Sequence, residues 1–212
     1  MKIYGLAISA PVIKTRLVAN ALGLDYEFRN VNMMEGEHKT EEYKKLHPAG
    51  KVPVLEDDGF VLFESGAICR YLAQKQNSDL YPKDIKQQAV VDQWSDFAAI
   101  HIGGAVGRVL FNKVLAPKMG WEVDEKSLQC GQEFLDRFLP IVDQQLGRST
   151  YLAGDKISLA DYALLAHVDP LEAIEIDVSK YSNLQKWRDA MRARGEYQKV
   201  HKFYGEEMMA QG

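Results

Sequence analysis

The sequence predicts a small α/β domain followed by an all-helical domain, and three observations carry that reading. A strand, a helix and a second strand open the chain, and strands joined by a crossover helix pair in parallel. A proline-marked strand and a hairpin then run from Val52 to Phe63, with Asp57-Asp58-Gly59 as the turn. Beyond the turn-rich stretch Asn77 to Asp84 only helical spacing is found. The expected boundaries are residues 1–78 for the first domain, 79–85 for the linker and 86–212 for the helical domain.

Lys2 to Ala7 is the first strand. From Pro11 to Leu22 the apolar residues Val12, Leu17, Val18, Ala21 and Leu22 share one helix face, which Gly23 stops. Tyr26 to Asn32 is the second strand. The stretch from Glu35 to Leu46 is so charged that it reads as a solvated loop and short helix rather than core. Val52, Val54 and Leu55 form a strand interrupted by Pro53, Phe60 to Phe63 returns beside it, and Ser65 opens a helix that reaches about Gln76. In the helical domain Val90, Trp94, Phe97 and His101 recur at helical spacing, as do Leu128, Leu135, Phe138, Val142 and Leu146 around Pro140. Ser158 and Asp161 have the spacing of a capping box with Asp in the usual Glu position. Leu184, Trp187 and Met191 mark a last amphipathic helix, and the tail from Gly205 to Gly212 is expected to fray.

The chain has 212 residues, 46% hydrophobic and 26% charged, which is ordinary globular composition and enough to bury a core. A net charge of −4 with no Lys/Arg block longer than two argues against a nucleic-acid or anionic-membrane partner. The two cysteines, Cys69 and Cys130, lie far apart with no CxxC, so they read as packing thiols in a reducing compartment. No leader precedes the first strand and no apolar run has transmembrane length, so a cytoplasmic protein is expected. His101 and His167 lack partners at ligand spacing, so no metal is expected.

The residues that can carry chemistry cluster in the first domain. A proline in a strand removes one ladder donor and leaves the backbone of Val52 free for an extended ligand, although Pro53 equally suits a plain sheet edge. Ser9 stands just ahead of the first helix, where its hydroxyl either caps the helix or serves a ligand at the positive helix end. There is no GxSxG and no hydrolase context for any of the five histidines, so Ser9 would act as a hydrogen-bond donor. His38 and Lys39, with Lys51, offer cations for a carboxylate; their bland reading is a solvated loop. Glu64 is an acceptor for an ammonium, and Ser65 brings a hydroxyl to a helix start, which together suit an amino-acid end.

Several of these residues fall in motifs that resemble a known family. Gly-Glu-His-Lys at 36–39, Pro-Ala-Gly-Lys-Val-Pro at 48–53, Glu-Ser-Gly-Ala-Ile at 64–68 and Leu-Ala-Gly-Asp-Lys-Ile-Ser-Leu-Ala-Asp at 152–161 resemble the glutathione transferases over nearly the full length. The His-Lys pair and Val-Asp-Gln-Trp at 91–94 resemble the phi class, and Ser9 matches that class's catalytic serine. Lys51, Ala49 and Gly66 stand where phi enzymes commonly carry glutamine, phenylalanine and arginine, which leaves open a bacterial or otherwise divergent phi-like member.

The resemblance implies a thioredoxin-like N-terminal domain, an all-α C-terminal domain and a homodimer that acts in detoxification. It implies that Ser9 donates to the glutathione sulfur and holds it as thiolate for attack on a hydrophobic electrophile. Reduction of organic hydroperoxides is a second expected activity. By the same resemblance His38 and Lys39 contact the glycyl carboxylate, with Lys51 as a further donor for a ligand carboxylate. Val52 pairs through its backbone with the cysteinyl part beside a cis Pro53, and Glu64 and Ser65 hold the γ-glutamyl end. The electrophile is expected between the domains, with Ile100, Gly104, Phe111 and Leu115 as candidates, although each also suits an ordinary core. A non-catalytic carrier or interaction module of the same fold, and a glutathione-dependent isomerase or dehalogenase, are the rival readings.

Overall fold

The computed structural model describes residues 1–200 of the chain. Its contacts divide it into two units, Met1–Tyr81 together with the segment from Arg192, and Pro82–Met191. The helical domain was expected from residue 86 to 212; of the described residues, those from Arg192 to Val200 group with the first unit, where the amide of Asn20 donates to the carbonyl of Glu196 at 3.4 Å. The expected fraying of Gly205–Gly212 lies outside the described residues.

The first unit is built from β1 (Lys2–Gly5), α1 (Ala10–Ala21), β2 (Glu27–Asn30), a 3-10 turn (Glu37–Lys39), α2 (Glu41–Leu46), β3 (Val54–Asp57), β4 (Phe60–Phe63) and α3 (Ser65–Lys75). The sheet has the order β2-β1-β3-β4, with β1 and β2 parallel and the other pairs antiparallel. This is the thioredoxin-like arrangement. Alternation along the strands sends side chains to opposite faces. Ile3 and Leu55 join Ala19 of α1 and Ile68 and Leu72 of α3 on one face, while Tyr4 and Val54 join Val31 and Tyr43 of α2 on the other. Gly5 is needed where α1 crosses β1, because a Cβ there would stand 2.5 Å from Cγ1 of Val12.

The β3–β4 turn places Asp58 and Gly59 at positive φ, as a two-residue hairpin turn requires. Asp57 beside it is buried and accepts hydrogen bonds from Lys75 and, at 2.7 Å, from the Tyr71 hydroxyl. The Lys75 ammonium first and the Tyr71 hydroxyl second hold its carboxyl below the usual carboxylate range. A depressed carboxyl stabilises the fold above its unfolded pKa, and that contribution is lost as pH falls through the folded one. Asp57→Asn should therefore lower the Tm at neutral pH, and the gap to wild type should close below about pH 4. Melting curves across that range would refute this if the gap stayed constant.

The second unit contains α4 (Ile85–Asp96), a π segment (Phe97–Ile102), α5 (Gly103–Leu110), a second π segment (Phe111–Leu115), α6 (Ala116–Met119), α7 (Glu125–Leu146), α8 (Leu159–Val168), a 3-10 segment (Asp169–Ile174) and α9, Ser182–Arg192, whose last residue groups with the first unit. Every residue of α8 is buried, as expected of a helix apolar on all sides and packed against α4, α5 and the first π segment. Asp161 in its first turn is fully buried and has no ion pair among the described residues. Its carboxylate accepts the N–H of Ser158 at 2.9 Å and the Ser158 hydroxyl at 3.1 Å, and also the N–H of Leu152 at 2.9 Å and the indole N–H of Trp187 at 3.1 Å. Burial pushes this carboxyl up, and the four donors hold against it. His167 fits because Gly103 has no side chain; a Cβ there would lie 2.7 Å from the ring. Among the described residues no helix is long and apolar enough to cross a membrane.

Candidate functional site

The strand register decides what the first unit can present at one place. Tyr4 of β1 stands opposite Val54 of β3, Val54 stands opposite Phe63 of β4, and Gly5 stands opposite Asn30 of β2. The segments after β1, after β2, before β3 and after β4 therefore all leave the same end of the sheet. Those segments carry Ser9, then His38 and Lys39, then Lys51, Val52 and Pro53, and then Glu64 and Ser65.

Ser9 occupies the N-cap position of α1, yet its hydroxyl makes no capping bond. Its carbonyl already accepts the N–H groups of Val12 at 2.9 Å and Ile13 at 2.8 Å, and Pro11 has no N–H to offer. The helix is thus closed by backbone, and the hydroxyl is left half-exposed beside the positive helix end.

The Val52-Pro53 peptide is cis. Neither the N–H nor the carbonyl of Val52 finds a partner among the described residues, because the ladder to β1 and β4 begins only at Val54. The hydroxyl of Tyr43 donates to the carbonyl of Lys51 at 2.9 Å and so steadies the residue before it. Tyr43 is buried in the core, which corrects the expectation that the whole charged stretch 35–46 lies outside it. One aromatic between charged neighbours gave no periodic signal. Burial pushes the Tyr43 phenol up to about 12, so it stays a donor.

Gly50 at φ +58 lets this loop meet the 3-10 turn, since a Cβ there would lie 2.6 Å from the carbonyl oxygen of His38. Nδ1 of His38 is buried without a partner. Lys39 and Lys51 are exposed and form no ion pair among the described residues, while their neighbours do: Arg29 with Glu37 at 3.2 Å, and Lys44 with Glu41 at 3.1 Å.

Glu64 turns the chain from β4 into α3 at φ +70, a conformation that costs an L residue roughly 1–3 kcal/mol. Its carboxylate is exposed and takes no hydrogen bond or ion pair among the described residues. Ser65 follows as the first residue of α3, where the first N–H groups of the helix are free of intrahelical partners. The end of the sheet thus carries a hydroxyl, a free peptide group, cations, a carboxylate and a helix start. In chemistry these groups complement the two charged ends and the backbone of an extended, zwitterionic peptide.

The candidates in the second unit lie along one path of chain. Ile100, Gly104, Phe111 and Leu115 are all exposed, which corrects the core alternative for each. A Cβ at Gly104 or Gly107 would meet nothing within 4 Å, so those glycines leave open surface, whereas Gly103 serves close packing. Cys69 is buried, and burial pushes its thiol up, away from nucleophilic use.

Residues 1–74 match the glutathione S-transferase N-terminal domain family, and residues 104–195 match the C-terminal domain family. The chain is 35% identical to glutathione S-transferase F10 of Arabidopsis thaliana over 189 residues, covering 86% of this chain and 87% of that one. It is 31% identical to glutathione S-transferase 1 of Zea mays over 206 residues, covering 94% and 95%. Among solved structures, glutathione transferase F2 from Populus trichocarpa superposes with a TM-score of 0.88 at 29% identity, covering 97% of this chain and 99% of that one. Glutathione S-transferase-I bound with lactoylglutathione superposes with a TM-score of 0.86 at 31% identity, covering 94% and 97%.

Proposed function

The chain belongs to the glutathione S-transferase family, whose members use glutathione as co-substrate, and we propose that it is a phi-like enzyme in which Ser9 holds the glutathione sulfur as thiolate for attack on hydrophobic electrophiles. One observation supports this most: polar groups from four separate segments gather at one end of the sheet without partners of their own, while the charges around them are paired. In this reading the Ser9 hydroxyl donates to the sulfur. His38, Lys39 and Lys51 take the glycyl carboxylate, and Val52 pairs with the cysteinyl peptide group. Glu64 receives the γ-glutamyl ammonium, and Ser65 with the start of α3 receives its carboxylate. The exposed stripe of Ile100, Gly104, Phe111 and Leu115 offers apolar surface to the electrophile. In the reaction a sulfur–carbon bond forms and the leaving group departs with the electron pair. The working unit is a homodimer in the cytosol.

The test is retention on immobilised glutathione together with conjugation of chlorodinitrobenzene. Retention without turnover on a broad panel of electrophiles and hydroperoxides would favour a carrier instead. The Glu64→Gln variant keeps the shape of the corner and loses its charge. Its glutathione affinity should fall at least about tenfold, the worth of one charge-assisted hydrogen bond, with turnover at saturation nearly unchanged. A variant that binds like wild type would remove Glu64 from the site.

A further inference from the structure

His47 ends the short helix α2 and is 3% exposed. Its Nδ1 accepts the N–H of Ala49 at 3.3 Å, and its carbonyl accepts the N–H of Gly50 at 2.8 Å. An Asn or Asp side chain makes the same bond to the residue two ahead when it closes an Asx turn. Here an imidazole does so. The ring also packs on Phe63 at 4.7 Å between centroids, and Phe63 is the last residue of β4, next to Glu64. One side chain therefore ties the segment that carries Lys51 and Val52 to the corner that carries Glu64 and Ser65.

The charged groups that act on the ring are Glu64, from the β4–α3 corner, and Lys51, from its own segment. Burial holds the imidazole below its usual pKa, with Lys51 acting in the same direction and Glu64 against it. A neutral ring whose Nδ1 accepts carries its proton on Nε2. Protonation places a second N–H on Nδ1, facing the Ala49 N–H, and the turn loses its side-chain bond and keeps only the backbone bond from Gly50.

We propose that His47 is a positioning residue for glutathione capture: its neutral imidazole braces the turn that sets Lys51 and Val52 against Glu64 and Ser65, and protonation of the ring loosens that turn and weakens capture in acid. The proposal rests on the glutathione reading above and extends it to a residue outside the contacts named there.

Calorimetric titration with S-methylglutathione between about pH 5 and pH 8 tests it, because a blocked thiol contributes no titration of its own. Wild-type affinity should fall roughly fivefold on the acid side of about pH 6.5. His47→Asn, which accepts the same N–H and does not titrate, should bind like wild type at neutral pH and show no acid slope. His47→Leu should bind roughly fivefold more weakly throughout, with kcat at saturating glutathione preserved. A leucine variant that binds like wild type, or an asparagine variant that keeps the acid slope, overturns the role of His47. If the leucine variant does not fold, the contrast between the wild-type slope and the flat asparagine line decides alone. A wild type that fails to bind at every pH overturns the glutathione reading and this role with it.

Discussion

Ser9→Ala should lower conjugation turnover about 10- to 100-fold while leaving glutathione affinity within about threefold. A free thiol with pKa near 8.5 is only a few per cent thiolate at pH 7, and lowering that pKa by about two units requires roughly 2.7 kcal/mol. One hydrogen bond to the charged sulfur contributes about 1.5–3 kcal/mol, and the start of α1 adds about 0.3–1 kcal/mol. The two together suffice without ionising the serine. The hydroxyl is available because α1 is closed by the carbonyl of Ser9, so alanine should leave the helix intact. Ultraviolet absorbance of the bound thiolate against pH is the direct readout, and its midpoint in the variant should move toward about 8.5. Unchanged turnover and an unchanged midpoint would show that sulfur activation lies elsewhere.

Asp161→Ala should have the largest effect on stability. It strips the acceptor from four donors, those of Leu152, Ser158 twice and Trp187, in the interior of the second unit. A buried donor left unsatisfied costs about 1–3 kcal/mol; the Ser158 hydroxyl can turn to another acceptor, so a net loss of about 3 kcal/mol or more is expected. For a chain of this length that lowers the Tm by about 6–12 °C. Asp161→Asn keeps one acceptor oxygen and should lose less. A Tm for Asp161→Ala within about 2 °C of wild type would mean that the network relaxes or admits water at little cost.

Most elements were legible because each is written in local pattern. The 3.6-residue spacing of Val12, Leu17 and Val18 returned as α1, and Asp57-Asp58-Gly59 returned as the hairpin turn with two positive φ values. The Ser158/Asp161 spacing announced the start of α8. It announced only half of what Asp161 does, since Leu152 and Trp187 reach the carboxylate from other elements and no spacing rule connects them. Tyr43 was hidden for the same reason: its neighbours are solvated charges, and only the packing of α2 on the sheet turns it inward. The bond from Asn20 of α1 to the carbonyl of Glu196 joins residues far apart in sequence, which no local pattern announces.

For the candidate site, local pattern supplies the residue types: a serine ahead of a helix, a proline in a strand, a Glu-Ser pair at a helix start and cations in loops. It left open whether Ser9 caps its helix and whether Val52 is paired. The tertiary structure decided both, because a hydrogen-bonding group is free only when every neighbour's demand has been met elsewhere. The carbonyl of Ser9 closes the start of α1, and strand register stops the ladder at Val54. That accounting depends on contacts across the sheet, which one-dimensional pattern does not contain.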